Sequence, residues 1–69
     1  MVNTEMLSQA IKDSGLKTGF IASSIGISTM SLQRKVEGET EFKASEIVGM
    51  TNLLRLTKSQ RDQIFLQGV

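Results

Sequence analysis

The segment spanning residues 18–36 restricts the fold more than any other part of the chain, because it holds two short helical patterns on either side of a turn signal. Ile21 and Ile25 lie one helical turn apart and mark the apolar side of a first helix. Leu32 and Val36 repeat that spacing and mark the apolar side of a second helix. The segment therefore predicts two short helices that meet at a corner.

The residues between the two patterns fit a tight corner. Gly26 can adopt the positive φ that ends a helix at low cost, and we expect Ile27 to point back into the core. Ser28 can cap the second helix through its hydroxyl. Ala22 supplies the small side chain that crossing helices need where their backbones approach. The predicted turn is therefore short, and a larger residue at position 22 would clash.

This arrangement resembles the helix-turn-helix of phage Cro and CI-type repressors. The residues that carry the resemblance are Ile21-Ala22, Ile25-Gly26-Ile27, Leu32 and Val36. Residues 37–47 are similar to the segment that enters the fourth helix in small Cro-like proteins of phages of Gram-positive bacteria. The resemblance covers nearly the whole chain and implies an all-α, compact five-helix lambda-repressor-like DNA-binding domain over residues 1–69. The alternative is an αα corner that has no role in DNA binding.

Composition limits the remaining possibilities. A chain of 69 residues has room for one core, and 39% hydrophobic residues with no proline fit a helical domain. The chain has no cysteine and no histidine, which removes thiolate nucleophiles, imidazole bases and nearly every zinc site. We expect no enzymatic activity, no cofactor, no metal and no small-molecule substrate. No leader or membrane span is expected either, so we predict a protein of the host cytoplasm.

Further helices follow from local signals. Helix 1 begins at Asn3 or Thr4, presents Met6, Leu7, Ala10 and Ile11 as its apolar stripe, and ends at Ser14-Gly15. Lys17-Thr18 opens helix 2, helix 3 covers about residues 29–37, and residues 38–42 form a loop.

Two more helices complete the prediction. Helix 4 covers residues 44–54, and Gly49 within it indicates that a neighbouring helix packs closely. We place five of its residues on or near the buried face: Ile47, Val48, Met50, Thr51 and Leu54. Thr57 and Gln60 form a capping box that starts helix 5, whose apolar side contains Ile64 and Phe65.

The resemblance also implies site residues. If a recognition helix of about residues 28–37 lies in the major groove, four side chains face the base edges: Ser28, Thr29, Met30 and Arg34. Arg34 is the strongest candidate, because a guanidinium can donate two hydrogen bonds to guanine. The implied phosphate contacts are Lys17, Thr18, Ser31, Gln33, Lys35 and Lys43. The alternative is that Arg34 and Lys35 are the solvated side of an amphipathic helix.

Charge complicates this prediction. The formal net charge is only +1, whereas phosphate-binding domains are usually more basic. Glu37, Glu39 and Glu41 follow helix 3, where many such repressors run beside the DNA backbone. These carboxylates could face solvent, weaken DNA binding, or serve a basic protein partner.

We therefore carry two hypotheses. The first is a phage-type transcriptional regulator that binds a double-stranded DNA operator, as a dimer with the C-terminal helix as a candidate interface. The second is a modulator or antirepressor that binds a partner repressor and changes its DNA occupancy. This second hypothesis uses the low net charge and an apolar end formed by Ile64, Phe65, Leu66 and Val69, which we expect to be exposed.

Overall fold

The computed structural model describes residues 2–66, which form five α-helices and, within that range, no β-strand. The helices are α1 (Thr4–Ser14), α2 (Thr18–Ser24), α3 (Thr29–Val36), α4 (Ala44–Leu53) and α5 (Lys58–Phe65). α2 packs on α3 and α4, and α1 packs on α3 and α5. The prediction of an all-α fold with five helices is thus confirmed for the described residues.

Short-range signals in the sequence set the helix ends. The Asn3 side chain accepts a hydrogen bond from the Met6 N–H at 3.1 Å, and Gly15 ends α1 with a φ of 71°. The Thr57 hydroxyl accepts from the Gln60 N–H, and the Gln60 side chain accepts in return from the Thr57 N–H. The predicted caps of α1 and α5 are therefore confirmed. α3 and α4 each end one residue earlier than expected, at Val36 and Leu53.

One apolar core joins all five helices. Its buried members come from each helix in turn: Leu7, Ile21, Ala22, Leu32, Met50, Ile64 and Phe65. Phe42, from the loop before α4, packs edge to face on Phe65 with ring centroids 5.2 Å apart. The loop after α3 is therefore anchored to α5 through two aromatic rings.

Two expectations about apolar residues are wrong. Val48 is 59% exposed, because α4 turns Glu46 and Met50 inward and leaves Val48 on its outer side. Ile64 and Phe65 are buried, because α5 packs on the N-terminal end of α1, where the Asn3 N–H donates to the Ile64 carbonyl at 2.7 Å. These two side chains are unavailable for the expected apolar contact with a dimer mate or partner. Leu66 is exposed, and Val69 lies outside the described residues.

Candidate nucleic-acid interface

The corner between α2 and α3 is closed by backbone hydrogen bonds. The Gly26 N–H donates to the Ser23 carbonyl at 3.2 Å, and the Ile27 N–H donates to the Ala22 carbonyl at 3.0 Å. Gly26 has a φ of 78°, the left-handed conformation that glycine adopts without a Cβ penalty. Ile27 packs against the core, as predicted. The short turn therefore holds the start of α3 at a defined place beside α2.

The start of α3 is capped by a serine pair. The Ser28 hydroxyl accepts from the Ser31 N–H and donates to the Ser31 hydroxyl oxygen, both at 3.0 Å. The predicted cap is confirmed, and the same bonds occupy the hydroxyl of a residue that we expected to face base edges. The Ser31 hydroxyl keeps its own proton for donation to another group.

The outer face of α3 is exposed and combines apolar and cationic groups. Met30 is 64% exposed, and Gln33 and Arg34 are exposed beside it. The Arg34 guanidinium lies 3.8 Å from the Met30 sulfur, and no carboxylate within the described residues forms an ion pair with it. Leu32 on the opposite side is fully buried and fixes the helix to the core. Arg34 is thus available to a ligand on a helix that cannot easily rotate.

A surface cleft collects several of the predicted site residues. Its volume is about 370 Å³ and it runs between α1, the start of α2 and one side of α3. The lining residues are Ser8, Ile11, Thr18, Thr29, Gln33, Val36 and Glu37. The Thr29 hydroxyl oxygen lies close to Gly19 of α2, since a Cβ on Gly19 would stand 3.7 Å from it. The fold therefore brings Thr18, Thr29 and Gln33 together, whereas Met30 and Arg34 lie outside this cleft.

Two exposed lysines stand at helix starts. Lys17 directly precedes α2 and Lys43 directly precedes α4, and neither side chain forms an ion pair among the described residues. Both ammonium groups are therefore free to approach an anion.

Lys35 has a different environment from the one we predicted. Its ammonium lies 3.1 Å from the Glu46 carboxylate and donates to the Glu41 carbonyl at 2.8 Å. The side chain is only 12% exposed, and its nitrogen lies 5.9 Å from the centre of the Phe42 ring. These partners occupy the ammonium, so Lys35 carries no free charge, in contrast to Lys17 and Lys43.

Glu46 is the residue that sequence reasoning missed. Burial raises the pKa of its carboxyl, but the hydrogen bond from the Lys43 N–H at 2.8 Å and the contact with Lys35 outweigh that effect. The net result is a pKa below the ordinary glutamate value, with the carboxylate buried and charged. A glutamate three residues after an N-cap is typical of a capping box, and Glu46 has that position in α4. The N-cap residue here is Lys43, which is not a usual capping residue, so the pattern was not recognised.

The three glutamates after α3 are exposed. Glu37 is the C-cap of α3 and lines the cleft beside Gln33. The Glu39 N–H donates to the Arg34 carbonyl at 2.9 Å, which holds the loop against the end of α3. Glu41 contributes its carbonyl to Lys35, while its side chain faces solvent. Negative charge therefore stands close to the cationic face of α3.

Comparison of the chain with protein-family models, with curated proteins and with solved structures found no match. Within residues 2–66, none of the helices combines the length and hydropathy needed to cross a membrane.

Proposed function

We propose that the protein is a sequence-specific DNA-binding regulator of a phage-type genetic switch, with α2 and α3 acting as a helix-turn-helix. The observation that carries the proposal is the exposed face of α3, where Arg34 and Met30 project from a helix fixed to the core by Leu32. An α-helix of this kind fits the major groove, which is about 12 Å wide. The free guanidinium of Arg34 has the geometry to donate two hydrogen bonds to one guanine.

The remaining contacts divide between bases and phosphates. Met30 offers an apolar surface to a thymine methyl group, and Lys17 before α2 and Lys43 before α4 offer charge to the DNA backbone. Thr18 and Gln33 line one cleft and can both donate to a phosphate there, a contact that Glu37 in the same lining weakens by repulsion. The phosphate contacts are few, which agrees with a net charge of +1 and implies weak binding to random DNA.

The test is selection of duplexes from a randomised library with the purified protein at low salt. Binding to the selected duplex and to a scrambled duplex of equal length is then measured by fluorescence anisotropy. We expect one sequence to be enriched and bound about 10³-fold or more tightly than the scrambled duplex. Absence of any enriched sequence would contradict the proposal.

A second proposal has its own supporting observation. Glu37, Glu39 and Glu41 are all exposed beside α3, and such a surface suits a basic protein better than phosphate. On this proposal the protein is a modulator that binds a partner repressor and changes its DNA occupancy. Sedimentation of the protein with the repressor encoded next to its own gene would test it, since a complex at micromolar concentration is expected.

A further inference from the structure

The Lys35–Glu46 pair joins three consecutive parts of the chain. Lys35 belongs to α3, Glu46 belongs to α4, and Lys35 also donates to the carbonyl of Glu41 in the intervening loop. The Glu46 carboxylate accepts a second hydrogen bond from the Lys43 N–H. The Phe42 ring lies beneath the Lys35 ammonium and contacts Phe65 of α5. Lys35 therefore links α3 to the loop and to α4, and the Phe42 ring connects this cluster to Phe65 of α5.

Moving the Lys35 ammonium away from Glu46 to another partner would cost free energy. Glu46 is only 6% exposed, so its charge would remain desolvated if the ammonium left. No other cation in the described residues forms an ion pair with Glu46. Movement of Lys35 to a phosphate would leave a buried carboxylate with only the Lys43 N–H as a partner. Lys35 is therefore held in place by the cost of separating the pair.

We propose that Lys35 is a positioning residue that sets where the loop of residues 37–43 stands relative to α3. Arg34 and Lys43, the free cations on either side of this loop, are tied through their backbones, Arg34 to the loop and Lys43 to Glu46 of the pair. The Arg34 carbonyl accepts from the Glu39 N–H, and the Lys43 N–H donates to Glu46. This inference rests on the proposed function only in assigning Arg34 to bases and Lys43 to phosphate. On that assignment, the Lys35–Glu46 pair fixes the distance between the base contact of Arg34 and the phosphate contact of Lys43.

The first part of the experiment needs no DNA. Amide hydrogen exchange is followed in the wild type, in Lys35→Met, which keeps an unbranched apolar chain, and in Lys35→Arg, which restores the charge. In Lys35→Met we expect the Glu39 and Lys43 amides to exchange about tenfold faster or more, because a buried ion pair loses one partner. The Leu7 amide in α1 should accelerate by less than these two amides, and Lys35→Arg should stay close to wild type. Unchanged Glu39 and Lys43 rates in Lys35→Met would overturn the inference.

The second part separates positioning from phosphate contact. Binding of the selected and scrambled duplexes is measured at several salt concentrations for Lys35→Met, Lys43→Met and the remote control Lys58→Met. Lys43→Met should reduce the slope of log K against log salt by about 0.9, the value for one lost phosphate contact on duplex DNA. Lys35→Met should leave that slope unchanged and lower the preference for the selected duplex by about two- to thirtyfold.

The outcomes are distinguishable. A slope reduced by about 0.9 in Lys35→Met would make Lys35 a direct phosphate contact and overturn the inference. A wild type that prefers no duplex would contradict the proposed function, while the exchange rates of Glu39 and Lys43 would still decide the structural role of Lys35. Equal acceleration of Leu7 and of the Glu39 and Lys43 amides would show that Lys35 stabilises only the whole fold, which would also overturn a positioning role.

Discussion

Gly49 in α4 lies so close to Ile25 at the end of α2 that a Cβ atom on Gly49 would stand 2.9 Å from the Ile25 Cγ2. Ile25 packs against the core, and its β-branched side chain has little freedom to move away. Replacing Gly49 by alanine gains about 1 kcal/mol of helix propensity but overpacks the contact at a cost of about 1–3 kcal/mol. We expect Gly49→Ala to lower the free energy of unfolding by about 1 kcal/mol, measured in urea.

Gly19 in α2 provides the matched control. A Cβ there would meet only the Thr29 hydroxyl oxygen at 3.7 Å, an ordinary contact, so Gly19→Ala should stabilise the fold. Ile25→Leu removes the branching methyl group and should recover part of the loss when combined with Gly49→Ala. Equal stabilisation by both alanine substitutions would show that α2 and α4 do not approach at Gly49.

Ala22 is 1% exposed on the α2 side of the corner. Ala22→Leu should destabilise the domain by about 1–3 kcal/mol, because the added atoms have no room between the helices. Binding to the selected duplex should be lost with it, since α2 and α3 would splay. Ser23→Leu at the exposed neighbouring position is the control and should change the melting temperature little. An unchanged melting temperature in Ala22→Leu would show that the helices do not cross there.

Arg34 should determine sequence preference. Arg34→Ala is expected to cost about 1–3 kcal/mol on the selected duplex and far less on a scrambled duplex, because only the correct guanine accepts both hydrogen bonds. Anisotropy titrations of both duplexes measure the difference, with Lys58→Ala as a remote cationic control. An equal loss on the two duplexes would reassign Arg34 to the backbone.

The acidic loop distinguishes the two proposed functions. If DNA is the main ligand, replacing Glu37, Glu39 and Glu41 by glutamine should strengthen binding, because three charges that repel phosphate are removed. The gain should shrink as salt rises, since the screening length is about 8 Å at physiological ionic strength. If the loop binds a basic repressor surface, the same variant should weaken that complex and keep its fold. Unaltered DNA affinity together with loss of a protein complex would favour the modulator.

Glu46 should make stability depend on acid pH. The pKa of this carboxyl is lowered in the folded state, so its contribution is complete above the ordinary glutamate value of 4.5 and is lost as pH falls through the lower folded value. In that acid range, Glu46→Gln should reduce the slope of unfolding free energy against pH by up to about 1.4 kcal/mol per pH unit. Urea denaturation at a series of pH values measures both slopes. Asp62→Asn, which breaks an exposed ion pair, controls for the loss of one carboxylate, and identical slopes in wild type and Glu46→Gln would contradict the expectation.

Local signals in the sequence were sufficient for the helix framework. Asn3, Ser28 and Thr57 were predicted as caps, and Gly26 was predicted to adopt a positive φ, as the structure has them. Each of these features depends on hydrogen bonds or backbone preferences within about four residues, so the sequence window contains all the partners that decide it.

The inward face of α4 needed the tertiary structure. α4 has apolar residues on more than one side, so periodicity alone left Val48 and Met50 equally suited to the core. The close approach of Gly49 to α2 sets how α4 is rotated about its own axis. That rotation buries Met50 and exposes Val48. Ile64 and Phe65 were predicted as the apolar side of α5, but only the tertiary structure shows that Ile64 meets the start of α1 and that Phe65 packs on Phe42.

Arg34 and Lys35 show the same difference, at the candidate site, between what the sequence predicts and what the tertiary structure decides. The sequence by itself determined that two cations lie in the last turn of α3, and the resemblance implied that both contact DNA. Only the tertiary structure decided that Arg34 faces solvent while Lys35 is held by Glu46, eleven residues away. The physical reason is that a buried carboxylate requires a compensating charge, and helix packing alone determines which cation can reach it.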